Sequence, residues 1–226
     1  PAIYAAAWHF AETSGSWIDS AAGHRVTPTS VATTATVVPG ITGSARSFDG
    51  IDDATPGEAG DPGLDFGTGS FSVQAWVDVA HSADPYDMVI DKGGDTDKPG
   101  YCFTLGTDTW FAEVGDDNYI AAPFGTESAL IGHWTQLTAV IDRTANNLLA
   151  YTNGAFASVL SFGAIGSVSG TTPLAIGSTQ SAYRFEGIVD EVRVLKVALS
   201  ADWIAAEYRN ATSRAQFVTF GAAQLE

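Results

Sequence analysis

Residues 71–79 alternate apolar and polar side chains. Phe71, Val73, Ala75, Val77 and Val79 fall on one side, and Ser72, Gln74, Trp76 and Asp78 on the other. That period of two predicts a strand packed on one face, with Trp76 on its polar side. The stretch Phe185–Leu195 reads the same way. Ile188, Asp190, Val192 and Val194 share one face, and Val189, Glu191, Arg193 and Leu195 the other. Asp190 is then a carboxylate in an otherwise apolar row. A buried carboxylate needs a cation, hydrogen bonds or a proton. Next comes Leu199-Ser-Ala-Asp202, a helix start in which Ser200 caps and Asp202 favours the first turn. Trp203, Ile204 and Tyr208 form one stripe of that short helix, predicted over 201–209.

The rest of the chain predicts further short strands. They fall at 3–10, within 26–38, and at 44–49, 88–92, 101–105, 110–114, 119–122, 133–142, 147–152, 155–160 and 173–177, with one more candidate at 214–220. Asn153-Gly154 is a strong hairpin turn signal, and 12–23 and 50–62 read as loops. Many strands, frequent turns and one short helix predict an all-β sandwich of two antiparallel sheets. Such jelly rolls leave one concave face partly open to ligands.

Length and charge narrow the reading. The 226 residues suit one large sandwich, and no composition break divides 1–224; Leu225-Glu226 reads as a cloning remnant. Asp and Glu number 26 against 10 Lys and Arg, a net charge of −16. This argues against nucleic acid or an anionic membrane as partner. No apolar run is long enough for a membrane helix. The single cysteine, Cys102, excludes an intramolecular disulfide and reads as a buried small hydrophobe.

Five stretches in order carry a family resemblance: Ala7-Trp-His-Phe10 with Thr13-Ser-Gly15 and Ile18-Asp-Ser20; Arg46-Ser-Phe-Asp-Gly-Ile-Asp-Asp53; Phe71–Val77; His133-Trp-Thr-Gln-Leu137 with Ala150-Tyr-Thr-Asn-Gly154; and Gly187–Val194 followed by Leu199–Tyr208. Over residues 4–208 the chain resembles laminin-G-like, concanavalin A-like jelly rolls. These occur widely in multidomain bacterial surface and secreted proteins. The resemblance implies a non-catalytic binding module, foremost a carbohydrate-binding one of lectin type, outside the cell or at its surface. Its partners would be a glycan or a surface protein, and neighbouring domains of a larger chain. An adhesion or structural domain without sugar binding is the alternative. A glycoside hydrolase or polysaccharide lyase is the third reading.

The resemblance also implies one structural calcium. Family members usually hold it with the aspartate of the Asp-Glu-Val strand plus acidic side chains and carbonyls of the loop after the first strand. Here these are Asp190, Asp19, Glu12 and the carbonyl of Gly23. The usual loop continues Asp-Ser-x-Gly-Asn-Gly, whereas this chain has Asp19-Ser-Ala-Ala-Gly-His24, with the Asn replaced. The other reading of Asp190 is a carboxylate that accepts backbone amides and binds no metal. Asp84, Asp87, Asp91, Asp95 and Asp97 lack the spacing of a calcium loop and read as solvated loop charge. For sugar contact the candidates are Trp110, Tyr119, Trp76 and Asn118, because sugar rings stack apolar faces on aromatics. Trp110 and Tyr119, flanking the Gly115–Asn118 turn, are expected side by side on adjacent strands. Trp17 and Trp203 are assigned to packing. Catalytic patterns are missing. Glu113 and Asp116 are split by a glycine turn, His9, His24, His81 and His133 are scattered, and no Gly-x-Ser-x-Gly or Walker-type loop occurs.

Overall fold

A computed structural model describes residues 3–28, 35–51, 57, 62–80, 86–93, 99–116, 118–163, 165–179 and 182–213. In chain order its strands are β1 (Tyr4–Trp8), β2 (Trp17–Ile18), β3 (Arg25–Val26), β4 (Thr36–Pro39), β5 (Ser44–Asp49), β6 (Phe71–Val79), β7 (Met88–Lys92) and β8 (Gly100–Leu105). They continue as β9 (Thr109–Gly115), β10 (Tyr119–Thr126), β11 (Thr135–Asp142), β12 (Asn147–Thr152), β13 (Ala155–Ser161), β14 (Ala175–Ile176) and β15 (Glu186–Leu195), followed by helix α1 (Ala201–Thr212). The predicted strand at 214–220 and the aspartates 52, 53, 84, 95 and 97 lie outside the described residues.

The larger sheet runs β13-β12-β11-β6-β15-β5-β4, with β1 added beside β15. The smaller runs β10-β9-β8-β7-β14. One apolar cluster joins their facing sides. From the larger sheet come Phe71, Val73, Val77, Leu137, Leu148 and Val189; from the smaller come Tyr101, Phe103, Trp110 and Val114. A third element corrects the two-sheet expectation. The stretch 12–23, read as a loop, contains β2, which pairs with β3 in a ribbon of its own. Trp17 anchors that ribbon in the core, packing edge-on against Phe10 and Phe48.

The predicted alternation of β6 holds, but both of its faces are buried except at Asp78. Helix α1 explains this by lying across the outer face of the larger sheet. Ser200 caps it, its hydroxyl accepting the Trp203 amide at 3.3 Å. Ile204 is buried in a second small cluster with Val140, Tyr151, Leu195 and Leu199. Tyr208 stacks on Trp76, ring centres 5.6 Å apart and 14° from parallel. Trp203, expected to pack, instead stands 45% exposed. The Asn153-Gly154 turn passes close beneath the helix: a Cβ on Gly154 would meet Tyr208 at 2.8 Å, and its φ of +76° suits glycine.

Strand β15 departs from simple alternation at its centre. Val189 faces Val77 on β6, Asp190 faces Trp76, and Arg193 faces Gln74. Three steps along β15 therefore match two along β6, which is a β-bulge. Glu191 takes the extra step with a φ of +50°. Val189, Val192 and Val194 all reach the core as a result. The expectation of Asp190 in one row with Val192 and Val194 is corrected. The bulge also divides the far edge of β15, which pairs with β5 before it and with β1 after it.

Candidate functional site

The bulge, strand β1 and helix α1 surround a polar patch on the outer face of the larger sheet. Arg193 is its centre. Its Nε and Nη2 donate to Glu191 Oε2 at 3.1 and 2.5 Å, and its Nη1 to Glu207 Oε1 at 3.3 Å. Glu207 projects from α1 toward the sheet, where its Oε2 accepts Gln74 Nε2 at 2.9 Å and its Oε1 the Tyr4 hydroxyl at 3.4 Å. Glu191 Oε1 meets His9 Nδ1 at 2.9 Å. Burial keeps the Tyr4 phenol above its ordinary pKa, and the Glu207 charge adds to this, so Tyr4 stays a donor at neutral pH. Burial lowers the Arg193 pKa, but Glu191 and then Glu207 outweigh it and hold the guanidinium charged.

Two depressions open on this patch and share Tyr4 and Arg193. One, of about 250 Å³, runs toward Trp76, Gln136, Glu207 and Asn210. The other, of about 240 Å³, runs toward His9, Ser20 and Ala21. Gln136 is 2% exposed. Its backbone is clamped by Asn153, whose side-chain oxygen accepts the Gln136 amide at 2.9 Å and whose own amide donates to the Gln136 carbonyl at 2.8 Å. Its side-chain oxygen is buried and has no hydrogen-bond partner among the described residues.

The structure distributes the sequence-predicted residues widely. Trp110 is fully buried against Phe185 in the core, so its reading as a sugar platform is corrected. It pairs with Gly125, whereas Tyr119 pairs with Gly115, so the two stand near opposite ends of one hairpin and not side by side. Tyr119 is 52% exposed and Asn118 is exposed, both at the β9–β10 turn. Trp76 does lie on the outer sheet face, but Tyr208 covers its ring and leaves it 4% exposed. It lines the larger depression without offering an open ring face. Cys102 is buried, as expected. Asp87 and Asp91 are both 2% exposed, which corrects the reading of that segment as solvated charge; Asp91 Oδ1 accepts the Gly93 amide at 2.9 Å.

Three of the calcium candidates, Asp19, Glu12 and Asp190, accept backbone amides. Asp19 Oδ1 accepts the amides of Ala7, Ala21 and Ala22 at 3.3, 2.7 and 2.9 Å, and its Oδ2 accepts that of His24. Glu12 Oε1 accepts the Ile18 amide at 2.9 Å. Asp190 Oδ1 accepts the Glu191 amide at 2.7 Å and its Oδ2 that of Thr42 at 3.1 Å. Gly40 makes room for it, since a Cβ there would lie 3.0 Å from the Asp190 carboxyl carbon. Gly23 is the left-handed turn residue at φ +87° just before His24. Amide hydrogens point at the Asp19 and Asp190 oxygens where a cation would have to stand. Among the described residues no three His, Cys, Asp or Glu side chains are grouped to hold a metal ion. Glu12 Oε2, by contrast, is buried with no hydrogen-bond partner among the described residues.

The family model of the concanavalin A-like lectin/glucanases superfamily matches residues 52–205, more than half of the chain. The chain belongs to this superfamily. Its jelly roll is similar to solved structures at low identity. The binding domain of Paraclostridial Mosquitocidal Protein 1 matches with a TM-score of 0.75 at 12% identity, over 92% of this chain and 52% of that one. The receptor binding domain of botulinum neurotoxin C/D mosaic serotype matches with a TM-score of 0.73 at 12% identity, over 92% and 51%. This concanavalin A-like chain thus spans about half the length of those toxin domains. Domain 4 of AbnA, a GH43 extracellular arabinanase from Geobacillus stearothermophilus in complex with arabinotriose, matches with a TM-score of 0.66 at 17% identity, over 90% and 97%. At these identities the likeness is one of fold. No curated protein sequence is detectably similar to the chain.

The polar patch of this concanavalin A-like domain was missed in the sequence. Its parts come from β1, β6, β11, β15 and α1, more than two hundred positions apart between Tyr4 and Asn210. The signal available was polar Gln74 and Gln136 on strands whose other faces are apolar.

Proposed function

We propose that the chain is a carbohydrate-binding module without catalytic activity, one part of a larger secreted or surface protein. The observation that carries this is the depression between β1, β15 and α1. There the aromatic ring of Tyr4 borders the planar polar groups of Gln136, Asn210, Arg193 and Glu207, while Trp76 lies at the wall with its ring covered by Tyr208. Sugars present apolar C–H faces and a ring of hydroxyls, which call for aromatic surface beside planar donors and acceptors. The fold match, over most of both chains, to an arabinanase domain in complex with arabinotriose supports this reading. So does the surplus of acidic residues, which leaves little cationic surface for nucleic acid.

Binding without hydrolysis follows from the same geometry. A glycosidase sets two carboxyl groups on either side of the scissile bond. Here Glu191 and Glu207 flank Arg193 instead, and the guanidinium fills the space between them. A glycan array with a parallel assay for new reducing ends tests the proposal. The expected outcome is retention of at least one oligosaccharide class with no release of reducing ends. Turnover of any arrayed glycan would contradict it.

A protein-binding role is the second reading. Edge strand β13 favours it, because Ala155–Ser161 carries no charged residue and exposes Phe156 and Val159, at 58% and 46%. Its distinguishing signature is association with a protein partner and no response to any sugar.

A further inference from the structure

We propose that the Trp76–Gln136–Glu207 depression selects a neutral, polyhydroxylated sugar over an acidic one, and that Gln136 is the residue that selects it; this rests on the carbohydrate-binding reading above. Of the described residues with a buried side-chain atom that lacks a hydrogen-bond partner, Gln136 is the one that lines this depression. Burying a polar group without a partner is costly, so native structures rarely keep one without a use. The Gln136 oxygen is such a group, on a residue 2% exposed that lines the depression. Its backbone is held from both sides by Asn153, so the strand that carries the side chain is anchored. A sugar hydroxyl is a donor of the size and geometry it lacks.

The charges around it set the class. The residues lining this depression include one cation, Arg193, and two anions, Glu191 and Glu207. Arg193 gives three of its N–H groups to those two carboxylates, so its charge is already matched. A uronate or sulfated sugar would bring a negative charge into a depression with a net charge of −1, on a chain of net charge −16. A neutral sugar adds no charge, and its hydroxyls donate to the Gln136 oxygen and the carboxylates alike. Neighbouring His9 and Tyr4 are turned to the same carboxylates, His9 to Glu191 and Tyr4 to Glu207.

The test is isothermal titration of the purified chain at pH 7.5 with three probes: arabinotriose and cellotriose as neutral sugars, and trigalacturonate as an acidic one. At least one neutral probe is expected to bind, and trigalacturonate to bind at least tenfold more weakly. In Gln136→Leu, which keeps volume and removes the acceptor, neutral binding is expected to fall at least tenfold. The melting temperature should be unchanged or raised, because no hydrogen bond to that oxygen is lost within the protein. Equal or tighter binding of trigalacturonate overturns the selectivity and leaves the carbohydrate-binding module standing. Unchanged neutral binding in Gln136→Leu, or a lowered melting temperature with binding intact, overturns the role of Gln136. No binding of any probe, together with an array that retains no glycan, overturns the module reading and this inference with it.

Discussion

The Asp190 carboxylate sits fully buried at the bulge of β15, held by the amides of Glu191 and Thr42. An aspartate between apolar residues is legible as a buried carboxylate, and Asp190 has no exposed surface. The residues that satisfy it were not legible. They are backbone amides of Thr42, far away in sequence, and of Glu191, reached through a bulge that no alternation pattern encodes. Trp110 failed differently. Its strand alternates in the expected way, but the choice of which face meets the core belongs to the opposing sheet. Burial pushes the Asp190 pKa up to about 6 from 3.8; the Thr42 amide opposes this and the Glu191 charge adds to it. Between these values the folded chain holds a proton that the unfolded chain has released. This stability is fully present below about pH 4 and is lost as pH rises through about 6. Asp190→Ala leaves the buried Glu191 amide and the part-buried Thr42 amide without their acceptor and should cost about 1–3 kcal/mol at pH 5. The deficit relative to wild type should shrink at pH 7.5, measured by urea melts at both values. A deficit independent of pH would mean that Asp190 does not titrate in this range.

Elements were more legible than their partners. The cap at Ser200, the helix after it and the strands at 44–49, 71–79, 88–92 and 147–152 stand where their residues predict. What the pattern could not supply was the location of α1. Gln74 and Trp76 read as a solvent face, and they do point away from the core, into the underside of the helix. The helix is thus the lid that turns a polar sheet face into a depression with walls. Its hold depends on few contacts: Ile204, Tyr208 and Glu207 on the sheet and the Ser200 cap at its start. Ser200→Ala should cost about 1 kcal/mol through the lost cap. Tyr208→Ala should move tryptophan emission to the red as Trp76 meets water, and the shift should vanish in a Trp76→Phe background. Emission unchanged in Tyr208→Ala would show that Tyr208 does not shield that ring.

The whole molecule is a jelly roll whose two large sheets share one core, with the polar patch around Arg193 on the outer side of the larger sheet. Charge distribution then bears on the remaining expectation, a structural ion. With 26 acidic residues the chain attracts divalent cations in general, and attraction alone makes no site. Calcium takes six to eight oxygens converging on one point. Asp19 spends both of its oxygens on four amides that wind the 19–24 turn against β1, and Asp190 spends both of its own on the bulge and on Thr42. To bind calcium with these residues, the chain would have to turn Asp19 and Asp190 toward one point against the amide bonds that now orient them. The protein should therefore melt at the same temperature with EDTA and with calcium in excess, within about 1 °C. An ion held only by the native state would instead add RT ln(1 + [L]/Kd) of stability. A melting temperature that falls on chelation and recovers with calcium would show that the amide-bonded arrangement of Asp19 and Asp190 is replaced by a cation. The same experiment in Asp19→Ala would then identify which of the two carboxylates carries it.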